Sequence, residues 1–227
     1  MKLENLTLII PAKHEEESLP IVLDELKKFE VKKIVVIPHD DLATYEAIKN
    51  YDCEIIYQKI QGFGAAIIEG LNNSRTKYSC IFNADGSFDP TDLNKMIDLL
   101  ENKENNLDYV FNSRYTGSGG SDDDTLLTKF GNFFFTQLCN ILFKTKATDV
   151  LYTYVMGKTD YFKKNNLICN DFTICIELVI KAKKNNQNYL FFNSYERSRL
   201  KGKKKVNEFK DGFLILIYIL KKFLGIR

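Results

Sequence analysis

Ile81-Phe82-Asn83-Ala84-Asp85-Gly86-Ser87-Phe88-Asp89-Pro90 is the stretch whose reading decides the fold. Tyr78 to Phe82 is apolar enough for a buried strand, and the chain then passes at once into oxygen-bearing side chains. Polar groups gathered at the C-terminal end of a buried strand mark the ligand crevice of an open α/β sheet. Asn83, Asp85 and Ser87 are hard oxygen donors that suit Mg2+ or Mn2+, ions that in turn hold substrate phosphates. The plain alternative is a strand, an Asp-Gly turn and a helix start at Asp89-Pro90.

The flanking sequence supports the crevice. Up to Tyr115, strands and helices alternate. Strands are expected over 6–11, 33–37, 54–57, 78–82 and 109–111, and helices over 15–29, 42–49, 62–71 and 91–100. Repeated β-α-β units imply a mostly parallel sheet with right-handed crossovers. Pro20 fits the first of these helices only in its opening turn. Beyond a Gly/Ser/Asp-rich loop over 116–124, Leu126 to Leu142 carries apolar residues at helical spacing. A strand near Tyr152 to Met156, a helix near Ile174 to Ala182, a strand over 189–192, a basic loop over 197–205 and a last helix complete the pattern. We expect one domain over 1–205, followed by an apolar helix over 206–227.

Composition narrows the classes. The chain has 227 residues, 44% hydrophobic and 27% charged, so it buries a real core. A net charge of +2 gives no reason to expect nucleic acid as a partner. Five cysteines without a C-x-x-C pair read as reduced core thiols of a cytosolic protein. Two histidines are too few for a histidine-based zinc site. No signal peptide is read at Leu6 to Ile10, and no run reaches the roughly 20 apolar residues that span a bilayer.

Further polar groups fall on the same rim. Pro11-Ala12-Lys13-His14-Glu15 closes the first strand, and Asp40-Asp41 follows the second. Their plain alternatives are acids at a helix N-terminus and a helix cap. Gly62-Phe63-Gly64 before a helix offers backbone N–H groups to a phosphate, or merely close packing. Ile67 breaks the G-x-G-x-x-G fingerprint and no Walker lysine is present, which argues against a Rossmann dehydrogenase and a P-loop enzyme. Arg114, Arg199 and Lys205 suit phosphate oxygens. Asp122 to Asp124 reads as a solvated acidic loop, and His14 as a polar residue lining the crevice. The last helix, apolar nearly all round and flanked by lysines, reads as an anchor on anionic lipid or as a helix packed on the body.

Five segments, in this order, resemble those of family 2 glycosyltransferases of the GT-A fold, nearest to the dolichol- or polyprenyl-phosphate mannose and glucose synthases. Pro11 to Glu16 looks like the opening P-x-x-N-E-E, Gly62 to Ala66 like G-x-G-A-A, and Asn83 to Ser87 like the metal motif D-A-D-G-S. Asn112 to Tyr115 resembles G-S-R-Y, and Arg199 to Val206 resembles R-x-x-G-x-S-K. The resemblance implies a nucleotide-sugar donor, Mg2+ or Mn2+, and a lipid-phosphate or other glycan acceptor at the cytoplasmic face of a membrane. Pro11, Lys13, Glu15, Asp40, Gly64 and Asn83 would then bind the donor. Asp85, with Asn83 and Ser87, would hold the metal. Arg114, Arg199 and Lys205 would meet donor or acceptor phosphates. Asn83 stands where the family has its first aspartate, which removes one charge from the metal site, and His14 replaces the usual Asn.

A phosphate acceptor is already anionic and needs no base, whereas a hydroxyl acceptor does. Asp171 and Glu177 are the candidate bases; otherwise Asp171 caps its helix and Glu177 is buried and paired. A nucleotidyltransferase would need a Gly-rich loop after the first strand, and Ala12 to Glu17 has no glycine. A non-catalytic nucleotide-sugar binder is the third reading, and Asn83 favours it.

Overall fold

The computed structural model describes residues 2–202 and 207–226. Strand β1 (Leu6–Pro11) is buried along its whole length in the interior of a seven-stranded sheet. It pairs in parallel with β2 (Lys32–Ile37) on one side and β4 (Tyr78–Ile81) on the other. Strand β3 (Glu54–Tyr57) extends the edge beyond β2. On the far side β7 (Val155–Lys158) runs antiparallel between β4 and β5 (Tyr109–Ser113), and β8 (Tyr189–Asn193) is parallel to β5. A short second sheet pairs β6 (Gly120–Ser121) with β9 (Tyr195–Glu196).

Side-chain alternation along β1 sorts the core into two layers. Leu8 and Ile10 join a cluster with Leu19, Val22, Leu23 and Leu26 of α1 (Leu19–Leu26). That cluster also takes in Ile48 of α2 (Leu42–Ile48) and Leu93, Met96 and Ile97 of α4 (Asp92–Glu101). Ile9 faces the other cluster, with Ile67 and Leu71 of α3 (Phe63–Asn73) and most of α7 (Ile174–Lys184). Gly70 lets α3 approach closely: a Cβ there would lie 2.3 Å from Ile9 Cγ2. Each fully buried Leu or Ile contributes roughly 1.5–3 kcal/mol.

Helix α1 begins at Leu19, not Glu15, with Pro20 in its first turn as its missing N–H demands. Residues 16–18 form a single turn, with the Leu19 N–H donating to the Glu15 carbonyl at 2.9 Å, and the helical path breaks before it. His14 has φ +52°, the Glu15 N–H donates to Thr44 Oγ1 at 3.0 Å, and Ser18 Oγ donates to Glu15 Oε2 at 2.5 Å. The strand expected near Tyr152 to Met156 sits later, at Val155–Lys158, because the Tyr152 and Tyr154 rings pack on Phe88, centroids 5.0 and 4.4 Å away. Helix α6 (Thr159–Lys164) and the β6–β9 pair are too short for a periodic signal.

Helix α5 (Leu126–Phe143) forms where expected, but most of its apolar side faces outward. Leu126 is 88% exposed, Phe130 68% and Ile141 72%, whereas Asn132, Thr136 and Cys139 are buried. The polar seam packs inward because Asn132 and Thr136 have buried partners: Asn132 Nδ2 donates to Asp149 Oδ1 at 2.5 Å, and Thr136 Oγ1 accepts from the Val150 N–H at 3.3 Å. Helix α8 (Glu208–Phe223) starts on an Asn207 cap that accepts from the Lys210 N–H at 2.9 Å. It packs beside α5 with Ile215 and Ile219 buried, and leaves Phe209, Phe213 and Leu220 exposed. Of its two readings the packed helix is the one seen: it rests on the body, with an exposed apolar face on its outer side. No helix among the described residues is long and apolar enough to cross a membrane.

Candidate active site

The C-terminal ends of β1, β2, β4 and β5 open into a cavity of about 640 Å3. Pro11, Lys13 and Glu15 line it from β1, Asp40 from β2, and Asn83, Asp85 and Ser87 from β4. Arg114, Asp171 and Arg199 line it as well. Residues far apart in the chain thus meet at the rim that an open α/β sheet reserves for ligands. A cavity of about 930 Å3 lies at the opposite ends of β1 to β3, where Lys27 and Lys33 have Asp24 and Asp52 as neighbours.

Asp85 sits in a tight turn made possible by Gly86 at φ +82°. Its Oδ1 accepts from the Ser87 N–H at 3.0 Å and from Ser87 Oγ at 2.7 Å. Asn83 Nδ2 donates to Ser87 Oγ at 3.3 Å. The second carboxylate oxygen, Oδ2, faces Arg199 Nη2 at 3.1 Å. Asp85 therefore keeps one oxygen directed at a cation while the other fixes its rotamer. Among the described residues no group of three His, Cys, Asp or Glu side chains is arranged to hold a metal. One carboxylate flanked by Ser87 and Asn83 fits Mg2+ or Mn2+ only where substrate phosphates and water complete the shell, as is usual for Mg2+.

Asp41 caps α2 by accepting the Thr44 N–H at 3.2 Å, and accepts the His14 N–H at 2.6 Å. Burial alone would raise its pKa, but the His14 and Thr44 hydrogen bonds outweigh it and hold the carboxyl below its ordinary value. His14 lies beside Asp41 with its ring largely exposed, outside the cavity lining, which corrects its expected place.

Arg114 departs most from expectation. Nε and Nη2 donate to Asp149 at 2.8 and 3.2 Å, Nη1 donates to Glu196 at 3.0 Å, and Asp124 stands 3.7 Å away. Burial works against the Arg114 charge, yet Asp149 and Glu196 more than offset it and hold its pKa well above the ordinary value. The guanidinium lines the cavity but is engaged by carboxylates, which makes it a strut of the cavity wall. For Glu196 burial dominates over Arg114 and raises the carboxyl pKa. Asp124, expected in a solvated loop, is turned toward this cluster and accepts from the Tyr115 hydroxyl and from Thr128 Oγ1.

Three further assignments shift. Gly64 is a packing residue: a Cβ there would lie 2.2 Å from the Cys169 carbonyl and 2.7 Å from that of Asp171. Glu177 is fully buried, accepts the Ile168 and Cys169 N–H groups at 2.8–3.1 Å and pairs with Lys181 at 2.8 Å. A carboxylate so occupied, away from the cavity, is no base. Asp171 lines the cavity, with Oδ1 accepting the Thr173 N–H at 2.9 Å. Lys205 lies outside the described residues. Sequence reading did not pair Arg114 with Asp149 or Glu196, 35 and 82 residues away.

The model of the family described as "Glycosyl transferase family 2" matches residues 7–165. An uncharacterized glycosyltransferase of Mycobacterium tuberculosis is 32% identical over 97 residues, 42% of this chain and 43% of its own length. The matched part thus spans less than half of that relative. An uncharacterized protein of Methanocaldococcus jannaschii is 26% identical over 193 residues, covering 80% of this chain and 76% of its own. Among solved structures, glucosyl-3-phosphoglycerate synthase of Mycobacterium tuberculosis, in complex with Mn2+, UDP and glucosyl-3-phosphoglycerate, aligns with a TM-score of 0.75 at 14% identity. It covers 98% of this chain and 80% of its own. The same synthase with Mg2+ and UDP gives 0.74. That likeness establishes the GT-A type of α/β fold, and with the family match over most of the domain this chain belongs to glycosyl transferase family 2.

Proposed function

We propose that this chain transfers a hexose from a nucleotide-sugar donor, with Mg2+ or Mn2+, to the phosphate of a polyprenyl phosphate at the cytoplasmic face of a membrane. The observation that carries the donor half is the placement of Asp85, buried at the cavity wall with one oxygen fixed by Ser87 and the other facing a cation. The synthase complexes with Mn2+ or Mg2+ and UDP support the same donor chemistry here. Asp85 would hold the ion, with Ser87 and Asn83 beside it. A divalent ion bound there stabilises charge on the departing diphosphate. Pro11, Lys13, Glu15 and Asp40 shape the donor pocket, and Arg199 supplies positive charge to phosphate oxygens. A phosphate acceptor attacks as an anion, so Asp171 has no proton to remove; with a hydroxyl acceptor it is the base.

The exposed face shared by α5 and α8 supports a lipid acceptor. Leu127 and Phe209, both exposed, belong to the cavity lining as well as to that face. Phe130, Phe133 and Phe213 extend it, and Lys129, Lys210 and Lys221 rim it. Aromatic side chains with basic neighbours match an anionic bilayer surface. Residues 1–205 are then the catalytic domain and 206–227 part of the membrane contact.

The test is a panel of UDP- and GDP-sugars with Mn2+ or Mg2+, offered with polyprenyl phosphate in vesicles and with phosphoglyceric acid in solution. Lipid-linked product, lost in Asp85→Ala, is expected. Product on phosphoglyceric acid alone would move the acceptor to a soluble phosphate. A thermal shift with a donor and no product on any acceptor would make the chain a binder.

A further inference from the structure

We propose that Arg199 is a resident counter-ion for Asp85 that a divalent cation must displace, so that cation and nucleotide diphosphate bind together and weakly apart. The inference rests on the assignment of Asp85 as the metal carboxylate. It concerns what already occupies that carboxylate.

Asp85 has one oxygen to give. Oδ1 is tied to Ser87 by two hydrogen bonds, and Oδ2 is held by Arg199 at 3.1 Å. Asn83 brings no charge to the turn, so Asp85 and Arg199 together sum to zero. A bare cation entering here meets a guanidinium that already neutralises its ligand. Both side chains are largely shielded from solvent, which strengthens the repulsion between two cations.

Arg199 cannot retreat as a whole. The backbone on either side is laced to the Asp85 turn: the Arg197 N–H donates to the Ser87 carbonyl at 2.8 Å and the Leu200 N–H to the Asp85 carbonyl at 2.9 Å. Leu200 packs over Gly86, where a Cβ would lie 2.3 Å from its Cδ1. Arg197 turns to the other side, onto Glu25 at 2.9 Å and the Phe88 carbonyl at 2.8 Å. Movement is left to the Arg199 side chain. Its planar fork leaves one carboxylate oxygen only for a partner at least as anionic, and a diphosphate within the same cavity is one. Once the guanidinium rests on phosphate, Asp85 is free for the ion. By linkage the effect is reciprocal: the ion raises diphosphate affinity by the factor by which diphosphate raises ion affinity.

The experiment follows free Mn2+ by electron paramagnetic resonance during titration of the full chain, with and without UDP, corrected for Mn2+–UDP in buffer. A GDP arm covers the other common base. Wild type is expected to bind Mn2+ at least about tenfold tighter with UDP than without, within the usual range of such couplings. Arg199→Gln should bind Mn2+ alone about five- to tenfold tighter than wild type, with the coupling reduced by the same factor and the remainder left to phosphate oxygens that ligate the ion. Arg199→Lys, which keeps the charge, should restore most of the coupling. Thermal melting reports that each variant is folded. Equal Mn2+ affinity of wild type and Arg199→Gln without nucleotide overturns the proposal while leaving the metal assignment intact. No Mn2+ binding by either protein with UDP or GDP, or binding unchanged in Asp85→Asn, overturns the metal assignment and the proposal with it.

Discussion

Arg114 Nε lies 2.8 Å from Oδ2 of Asp149, and this contact joins the end of β5 to the segment that leads into β7. Asp149 also takes the Asn132 amide of α5, so one buried carboxylate positions three separate pieces of the cavity wall. Without Asp149 the guanidinium still has Glu196, but Arg114 loses two side-chain hydrogen bonds and the Asn132 amide loses its acceptor, a loss of about 1–3 kcal/mol. Asp149→Ala should therefore lower unfolding free energy by that order in urea denaturation. A loss under 1 kcal/mol would mean that water reaches the cluster and replaces the carboxylate.

Glu196 gives the same cluster a pH dependence of known sign. Its carboxyl pKa is raised in the folded chain above the ordinary 4.5, chiefly by burial. The folded state then binds the proton more tightly than the unfolded one, so stability falls as pH rises from 4.5 through the folded pKa. Wild type should show that decline in urea midpoints, and Glu196→Gln should flatten it. Arg114→Gln should steepen it, because Glu196 loses the cation that opposes the effect of burial.

The rim of the sheet was legible because its signals are local. Tyr78 to Phe82 is apolar but for Ser79, and Asn83 to Ser87 follows within the same ten residues. Arg114 was legible as a cation but not as a partner of Asp149, since nothing in Asp149-Val150-Leu151 marks a buried acid. Its role comes from a pairing across the fold. Helix α5 shows the converse limit: its apolar spacing correctly gives a helix, yet periodicity carries no sign for which face turns inward. Asn132 and Thr136 settle that through partners that only the folded chain supplies.

Gly64 is expected to tolerate no side chain. A Cβ would lie 2.2 Å from one backbone carbonyl and 2.7 Å from a second, and backbone cannot rotate away as a side chain can. Overpacking of this kind costs about 1–3 kcal/mol. The strain falls on residues 169–171, which carry Asp171 into the cavity. Gly64→Ala should thus lower the thermal midpoint and reduce turnover together. A variant with wild-type stability and weaker donor binding would instead restore Gly64 to direct contact with the nucleotide.

Asp171 and Glu177 separate structural from chemical carboxylates by experiment. Glu177 accepts two backbone N–H groups, so Glu177→Ala strands both, while Lys181 keeps the Asn166 carbonyl, and should cost about 2–4 kcal/mol. Glu177→Gln keeps an acceptor in place and should retain turnover per folded molecule, because the carboxylate does not line the cavity. Asp171→Asn preserves the Thr173 contact and should leave stability nearly unchanged. Its turnover then reports the acceptor. A hydroxyl nucleophile that needs a base would slow by about 10²–10⁴-fold, whereas a phosphate nucleophile would not. Near-wild-type rates for Asp171→Asn with polyprenyl phosphate in a single-turnover assay are the expected result, and a loss of that size would assign the acceptor a hydroxyl.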